Sequence, residues 1–326
     1  MTFLSRRALL GAAAAVPALA GLPLPVSAAA STASGMAATL ARNSGAIRRR
    51  LGDVEVVALS DGYLDIDTSL LQGADSAEVQ RLMAGSFRPA GPYRAAVNAY
   101  LVRSGDNTVL IDTGTSNAMG PTLGRLPRSL ADAGVAPQAV TAVAMTHLHP
   151  DHANGLVTAD GAAAFPNAEL IVAETEWAFW TDEAAASRAP KDMQPFFVAA
   201  QRAVAPYRER LRLIKGEAAV VPGMTALPLP GHTPGHTGFR VASGAEQLLI
   251  WGDILHTAAL QLAHPDWSIA FDTDATQAVA TRKRALDMVA ADRVLVAGMH
   301  MDFPGFGYIA RTGDAYAQIN PVWSYE

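Results

Sequence analysis

From Leu51 onward the apolar residues fall in short runs separated by turn-forming residues. Residues 54–59 predict a strand ending at Ser60-Asp61-Gly62, and residues 97–102 and 108–111 predict a hairpin around Ser104-Gly105-Asp106-Asn107. Residues 126–133 have helical spacing and stop at Gly134. The run 140–145 reads as a buried strand, and 170–173 as another, followed by a helix with Trp177 and Trp180 on one face. Residues 192–213 predict a helix in which Pro195 and Pro206 interrupt or begin pieces, because proline lacks the amide donor that a helix interior needs. Residues 224–229, 239–241 and 248–251 read as strands. Residues 275–291 form an amphipathic helix with Ala278, Val279, Ala285, Leu286 and Val289 on its apolar face. Residues 294–297 read as the last core strand, ending at Gly298-Met299-His300. No fixed-period repeat interrupts this order. Strands, helix, strand, helices, strands, helix and strand in succession fit an α/β fold of two sheets with helices outside.

The first fifty residues carry a different pattern. Ser5-Arg6-Arg7-Ala8-Leu9-Leu10 precedes an alanine-rich apolar run to Ala20, and small-residue cleavage patterns follow at Val26-Ser27-Ala28 and Ala28-Ala29-Ala30. The run is too short and its side chains too small for a good membrane span, so no stable membrane anchor is expected after processing. The paired arginines resemble a twin-arginine export signal, with an ordinary secretory leader as the alternative. Residues 1–30 are therefore expected to be a signal peptide, 31–50 a flexible linker and 51–326 the folded domain, acting in a bacterial periplasm or outside the cell. Arg48-Arg49-Arg50 reads as a solvated patch of that linker.

Composition narrows the chemistry. Half of the 326 residues are hydrophobic, which supplies a large core. Loss of Arg6 and Arg7 with the leader takes the net charge from −5 to about −7, so no nucleic-acid partner is expected. The absence of cysteine excludes disulfides, thiolate metal ligands and a cysteine nucleophile. Any metal must be held by nitrogen and oxygen.

The run 143–145 opens directly into Thr146-His147-Leu148-His149-Pro150-Asp151-His152. Three imidazoles and one carboxylate lie within six residues there, too dense for one tetrahedral ion, and imidazole and carboxylate both suit zinc. Gly231-His232-Thr233-Pro234-Gly235-His236, Gly252-Asp253, His300 and Asp112 each follow a predicted strand. Rigid strand ends are places where a scaffold presents chemistry.

These residues resemble the metallo-β-lactamase superfamily, whose fold is an αββα four-layer sandwich of two mixed β-sheets flanked by helices. The matching pieces are Asp112-Thr113-Gly114, the loop from His147 to His152, His232, Asp253 and His300, and the likeness spans Leu51 to the end. It implies that His147, His149 and His232 hold one metal, that Asp151, His152 and His300 hold the other, and that Asp253 bridges them. Five of the eight histidines would then be ligands. Asp112 and His236 would stand behind the ligands, Asp112 as a buried acceptor fixing imidazole tautomers. Ala58-Leu59-Ser60-Asp61-Gly62, Gly120-Pro121-Thr122-Leu123-Gly124-Arg125-Leu126, Phe165-Pro166-Asn167-Ala168 and Phe303-Pro304-Gly305 are similar to the methyl parathion hydrolase branch of lactonases, arylesterases and organophosphate hydrolases.

The resemblance implies a binuclear metal-dependent hydrolase of lactones or aryl esters, with organophosphate triesterase activity either secondary or primary. A water shared by two divalent ions loses its proton near neutrality and attacks the substrate, with Asp151 orienting or shuttling that proton. Zinc suits the ligands best, and manganese, cobalt or iron would also fit. His256 stands where many acyl-homoserine lactone hydrolases of the superfamily carry a tyrosine that contacts the substrate oxygen, so it is read as a catalytic, pocket-facing donor. Trp180, Phe196, His256 and Ile269 are expected in an apolar pocket wall that takes a small neutral ester, lactone or phosphotriester. A homodimer is expected by the same likeness. A reading of another class is a non-catalytic metal-binding protein. Closed four-ligand sites characterise structural zinc, whereas seven ligands shared by two ions leave positions open.

Overall fold

The computed structural model describes residues 43–322. The signal peptide and most of the linker expected from the sequence lie outside the described residues. Among the described residues no helix is long and apolar enough to cross a membrane.

Sixteen strands lie among the described residues. They are β1 (Ala46–Leu51), β2 (Val54–Ile66), β3 (Leu71–Gln72), β4 (Tyr93–Ser104), β5 (Asn107–Ile111), β6 (Ala142–Ala144), β7 (Glu169–Ala173), β8 (Leu211–Ile214), β9 (Ala218–Val221), β10 (Met224–Pro228), β11 (Thr237–Ser243), β12 (Glu246–Ile250), β13 (Ser268–Ile269), β14 (Leu295–Ala297), β15 (Phe306–Thr312) and β16 (Ala315–Ile319). One sheet runs β1-β2-β4-β5-β6-β7-β8 and the other β16-β15-β14-β12-β11-β10-β9, with β3 and β13 paired separately. Both large sheets are mixed. β5 through β8 are parallel neighbours, as are β12 and β14, and the remaining pairs are antiparallel.

The apolar runs are continuous because the central strands are buried on both faces. In β4, Ala99 and Leu101 pack outward under the helices Leu126–Asp132 and Gln194–Val204, while Tyr100 and Val102 point at the other sheet. In β12, Leu248 and Ile250 meet the first sheet, while Leu249 packs beneath the helix Ala275–Asp292 with Leu286 and Val289. The side-chain period of two thus yields helix, sheet, sheet and helix, the expected four layers.

Several element boundaries differ from expectation. Pairing begins at Ala46, where β1 runs antiparallel to β2, so residues 46–50 belong to the fold and not to a linker. The arginine run lies on that edge strand, with Arg48 donating to the Ala133 carbonyl at 2.7 Å. β2 does not stop at Ser60-Asp61-Gly62 but passes through it with a bulge. Gly62 sits at φ 127° against the Thr122 carbonyl, where a Cβ would stand 1.9 Å from oxygen. The helix predicted over 192–213 spans only Gln194–Val204, with Pro195 in its first turn; a tighter turn of helix follows and 211–213 join β8. β14 is not the last strand, because β15 and β16 extend the second sheet. The alternation in these two short strands is weakened by Gly307 within β15 and by the exposure of the edge strand β16.

Candidate metal centre

Five strand ends place the predicted ligands and the acceptor expected behind them. Asp112 follows β5, the His147–His152 segment follows β6, His232 follows β10, Asp253 follows β12 and His300 follows β14. Their side chains meet at one end of the sandwich, almost entirely out of solvent, and only Asp151 keeps appreciable side-chain exposure, at 15%.

Two groups form around one oxygen. His149 Nδ1 lies 3.1 Å from His147 Nε2 and 2.9 Å from His232 Nε2. In the second group His152 Nε2 and His300 Nε2 lie 3.4 and 3.3 Å from Asp151 Oδ2. Asp253 Oδ2 stands between them, 3.7 and 3.4 Å from the His147 and His232 nitrogens and 3.3 and 3.2 Å from those of His152 and His300.

The surrounding hydrogen bonds dictate which ring nitrogens are bare. Thr146 Oγ1 donates to Asp112 Oδ2 at 2.7 Å and so accepts from His147 Nδ1 at 3.0 Å. His152 Nδ1 donates to Asp112 Oδ2, His232 Nδ1 to Asp272 Oδ1 and His300 Nδ1 to the Ala96 carbonyl, each at 2.8 Å. Each outward nitrogen donates, so four Nε2 atoms point inward, where each can give its lone pair to a metal ion or hold a proton in its place. His152 Nε2 and Asp253 Oδ1 are buried with no partner. Converging bare lone pairs repel unless a cation lies among them. Zinc–nitrogen bonds of about 2.0–2.1 Å in a tetrahedron would set ligand nitrogens roughly 3.3–3.4 Å apart, close to the spacing seen here. The residues therefore fit a pair of divalent ions, one group offering three nitrogens and the other two nitrogens and an oxygen, with Asp253 Oδ2 within reach of both.

Charge follows the same division. Burial pushes His147 and His149 well below the ordinary imidazole range, and the neighbouring histidines add to that. Burial alone would lower His152 and His300 too, but Asp253, Asp151 and, for His152, Asp112 outweigh it; His152 is held well above its usual range and His300 at about 10. Burial disfavours the charged forms of Asp151 and Asp253, yet the imidazoles around them keep both well below the usual carboxylate range.

The backing residues also have definite geometry. Asp112 adopts φ 57° and accepts from the Thr146 amide, the Thr146 hydroxyl and His152. It thus orients one imidazole in each group, His147 through Thr146 and His152 directly. His236 donates from Nδ1 to the Leu229 carbonyl and accepts the Asp253 amide proton on Nε2, both at 2.8–2.9 Å. Burial lowers it to about 3, so it stays neutral and fixes the Asp253 backbone.

His256 comes into contact with the centre. Its Nε2 lies 3.2 Å from Asp253 Oδ2, and its ring stacks on His300 and tilts against His232. Neither ring nitrogen has a hydrogen-bond partner, and burial lowers it to about 4, leaving a neutral imidazole. With His232 and Asp253 it forms a further group that could hold a cation. The other three pocket expectations divide. Phe196 is partly exposed and its ring lies 5.6 Å from that of His149. Trp180 and Ile269 show no exposed surface. Trp180 meets the His149 ring edge from within the core, while Ile269 pairs with Leu71 and donates its amide to Asp272.

Sequence reasoning missed Thr146, Glu176 and Asp272. Glu176 had a readable signal, an acid four residues before Trp180 on a helix whose other inward residue is that tryptophan. Asp272 had none, because its partner His232 is forty residues away. The segments around 58–62 and 120–126 also converge. Buried Asp61 accepts from the Thr115 amide and hydroxyl and from the amides of Gly124 and Leu126, pinning two loops beside the site.

Comparison with known proteins agrees with this geometry. The metallo-beta-lactamase superfamily model matches residues 92–300. No curated protein sequence matches the chain. Among solved structures, the hydrolase AbOPH of the beta lactamase superfamily is 30% identical, with 87% of this chain and 99% of that one aligned at a TM-score of 0.81. AidC, a dizinc quorum-quenching lactonase in complex with a product, is 27% identical over 86% and 99% of the two chains, also at 0.81. A probable metal-dependent hydrolase from Staphylococcus aureus, 21% identical over 84% and 100%, shares the fold at 0.69.

Proposed function

This chain belongs to the metallo-β-lactamase superfamily of metal-dependent hydrolases, and from that premise we propose that it hydrolyses lactones and aryl esters at a two-metal centre. The observation that carries the reading is the single oxygen Asp253 Oδ2 shared between His147, His149 and His232 on one side and Asp151, His152 and His300 on the other. Similarity to AidC, described as a lactonase, supports lactones as the first substrates to try.

Two divalent ions held there, zinc by the nature of the donors, would lower the pKa of water and polarise a substrate oxygen. The chain's own residues do the rest. Asp253 balances the positive charge of both positions, which neutral imidazole cannot do. Asp151 is the one ligand with appreciable exposure and is placed to take the attacking water's proton on its solvent side. His256, neutral and without a partner on either nitrogen, is placed to donate to or accept from a substrate oxygen beside Asp253. Phe196, partly exposed over His149, offers an apolar surface to an acyl or aryl group.

Aryl phosphotriesters are also neutral and present a phosphoryl oxygen to the same residues. The segments similar to the methyl parathion hydrolase branch, two of which meet at Asp61, support that second activity. The leader-like first thirty residues support export to the periplasm. The test is a hydrolysis panel on metal-quantified protein, comparing aromatic lactones, acyl-homoserine lactones, aryl esters and aryl phosphotriesters. Lactone or aryl-ester turnover above the other classes is expected. Turnover confined to phosphotriesters would reverse the order of the two activities.

A further inference from the structure

Glu176 lies outside both ligand groups, yet it holds two ligand loops together. Its carboxylate is buried, in the first turn of the helix Glu174–Thr181. Oε1 accepts the Leu148 amide at 2.9 Å and Trp180 Nε1 at 2.7 Å. Oε2 accepts the Thr233 hydroxyl at 2.7 Å and the Gly235 amide at 2.9 Å. Four donors and no acceptor surround it, so a carboxylate satisfies the site and an amide does not. Gly235 lies so close to this turn that a Cβ there would stand 2.2 Å from the Glu176 amide nitrogen.

Those contacts are unevenly shared between the two metal positions. Leu148 separates His147 from His149, and Thr233 follows His232. Trp180, held by the same carboxylate, packs against the His149 ring. All three nitrogens of one group therefore hang on backbone or side chains that Glu176 fixes. In the other group His152 and His300 are oriented by Asp112 and the Ala96 carbonyl.

We propose that Glu176 is a positioning residue that sets the affinity of the three-histidine position alone, leaving the Asp151–His152–His300 position independent of it. This rests on the two-ion reading above. Glu176→Gln keeps the shape but must turn its amide group toward one pair of donors. The Thr233 hydroxyl can rotate to accept, so the loss falls on the Gly235 amide and on the loop carrying His232.

The experiment is a zinc titration of metal-stripped protein against a competing chelator, with bound zinc counted by mass spectrometry and near-ultraviolet circular dichroism as the check on packing. The parent should bind two ions. Glu176→Gln should keep one at parental affinity and weaken the other by about 10–100-fold, the usual effect of disturbing residues behind metal ligands. Added to His149→Ala, it should change nothing further. Added to Asp151→Ala, it should bring bound zinc below one per chain. Equal weakening of both ions, or of neither, overturns the proposal. If Glu176→Gln does not fold, Thr233→Val, which removes one of the four bonds, decides by the same readout, with a smaller loss confined to one ion expected and an equal or absent loss contradicting it. A parent that binds fewer than two ions removes the two-ion reading and this inference with it.

Discussion

Single atoms decide most of the chemistry here. Among the described residues Asp253 Oδ2 is the carboxylate oxygen placed between both groups of nitrogens, so Asp253→Ala should lose tightly bound metal and reduce turnover by at least about 1,000-fold, as expected when the charge that holds a catalytic ion is removed. Retention of two tight ions, counted by metal analysis, would contradict the bridge. Asp112→Asn keeps the φ 57° backbone, which asparagine tolerates, but cannot serve Thr146 and His152 as an acceptor with both oxygens. Metal affinity should fall by about 10–100-fold with the fold intact, read by chelator competition. His256→Phe should preserve two ions while changing the ratio of lactone to phosphotriester rates; an unchanged ratio would place His256 outside the reaction. At this scale the residues that converge on the proposed centre were legible because they sit in a dense local motif or shortly after apolar strands. Asp272 was not, since its partner lies 40 residues distant, and the local signal of Glu176 beside Trp180 did not reveal its partner 57 residues away. Trp180 was legible as an aromatic near the site but not as one turned inward, because its exposure depends on how the Gln194–Val204 helix packs over it.

Elements matter through where they end. The parallel strands β5, β6, β12 and β14 all deliver ligands or their supports from their C-terminal ends, and the doubly buried alternation made these strands readable. The edge strands β1 and β16 were not, as a half-exposed edge has little hydrophobic signal, and β15, paired on both sides, turns exposed towards its C-terminal end. The Ala275–Asp292 helix was expected to contribute an apolar face. It also contributes buried Arg282, which donates to the carbonyls of Ile254, Pro265 and Trp267 and approaches Asp272 at 3.9 Å. Arg282→Met would leave three carbonyls and a buried carboxylate without that cation. Stability should drop by about 3–5 kcal/mol, measured by denaturant unfolding, as is usual when one partner of a buried charge network is removed. A change under about 1 kcal/mol would show that these loops are held by other contacts.

The described residues form a scaffold with two sheets closed by helices and a polar centre at one end of their seam. Its four layers were legible in the order of the apolar runs. The position of the folded boundary at Ala46 was not, because the arginines of β1 read as linker until their pairing with β2 is seen. The metal-free protein should unfold at lower temperature than the loaded one, since ions that bind only the folded state stabilise it by mass action. The central claim is that two ions bound at this centre make the chain a hydrolase. The most direct measurement is the rate of lactone and aryl-ester hydrolysis by metal-stripped protein as zinc is returned in known equivalents. The account predicts negligible turnover without metal and a rise that levels off at two ions per chain. A protein that holds two ions and hydrolyses no lactone, aryl ester or phosphotriester would contradict it.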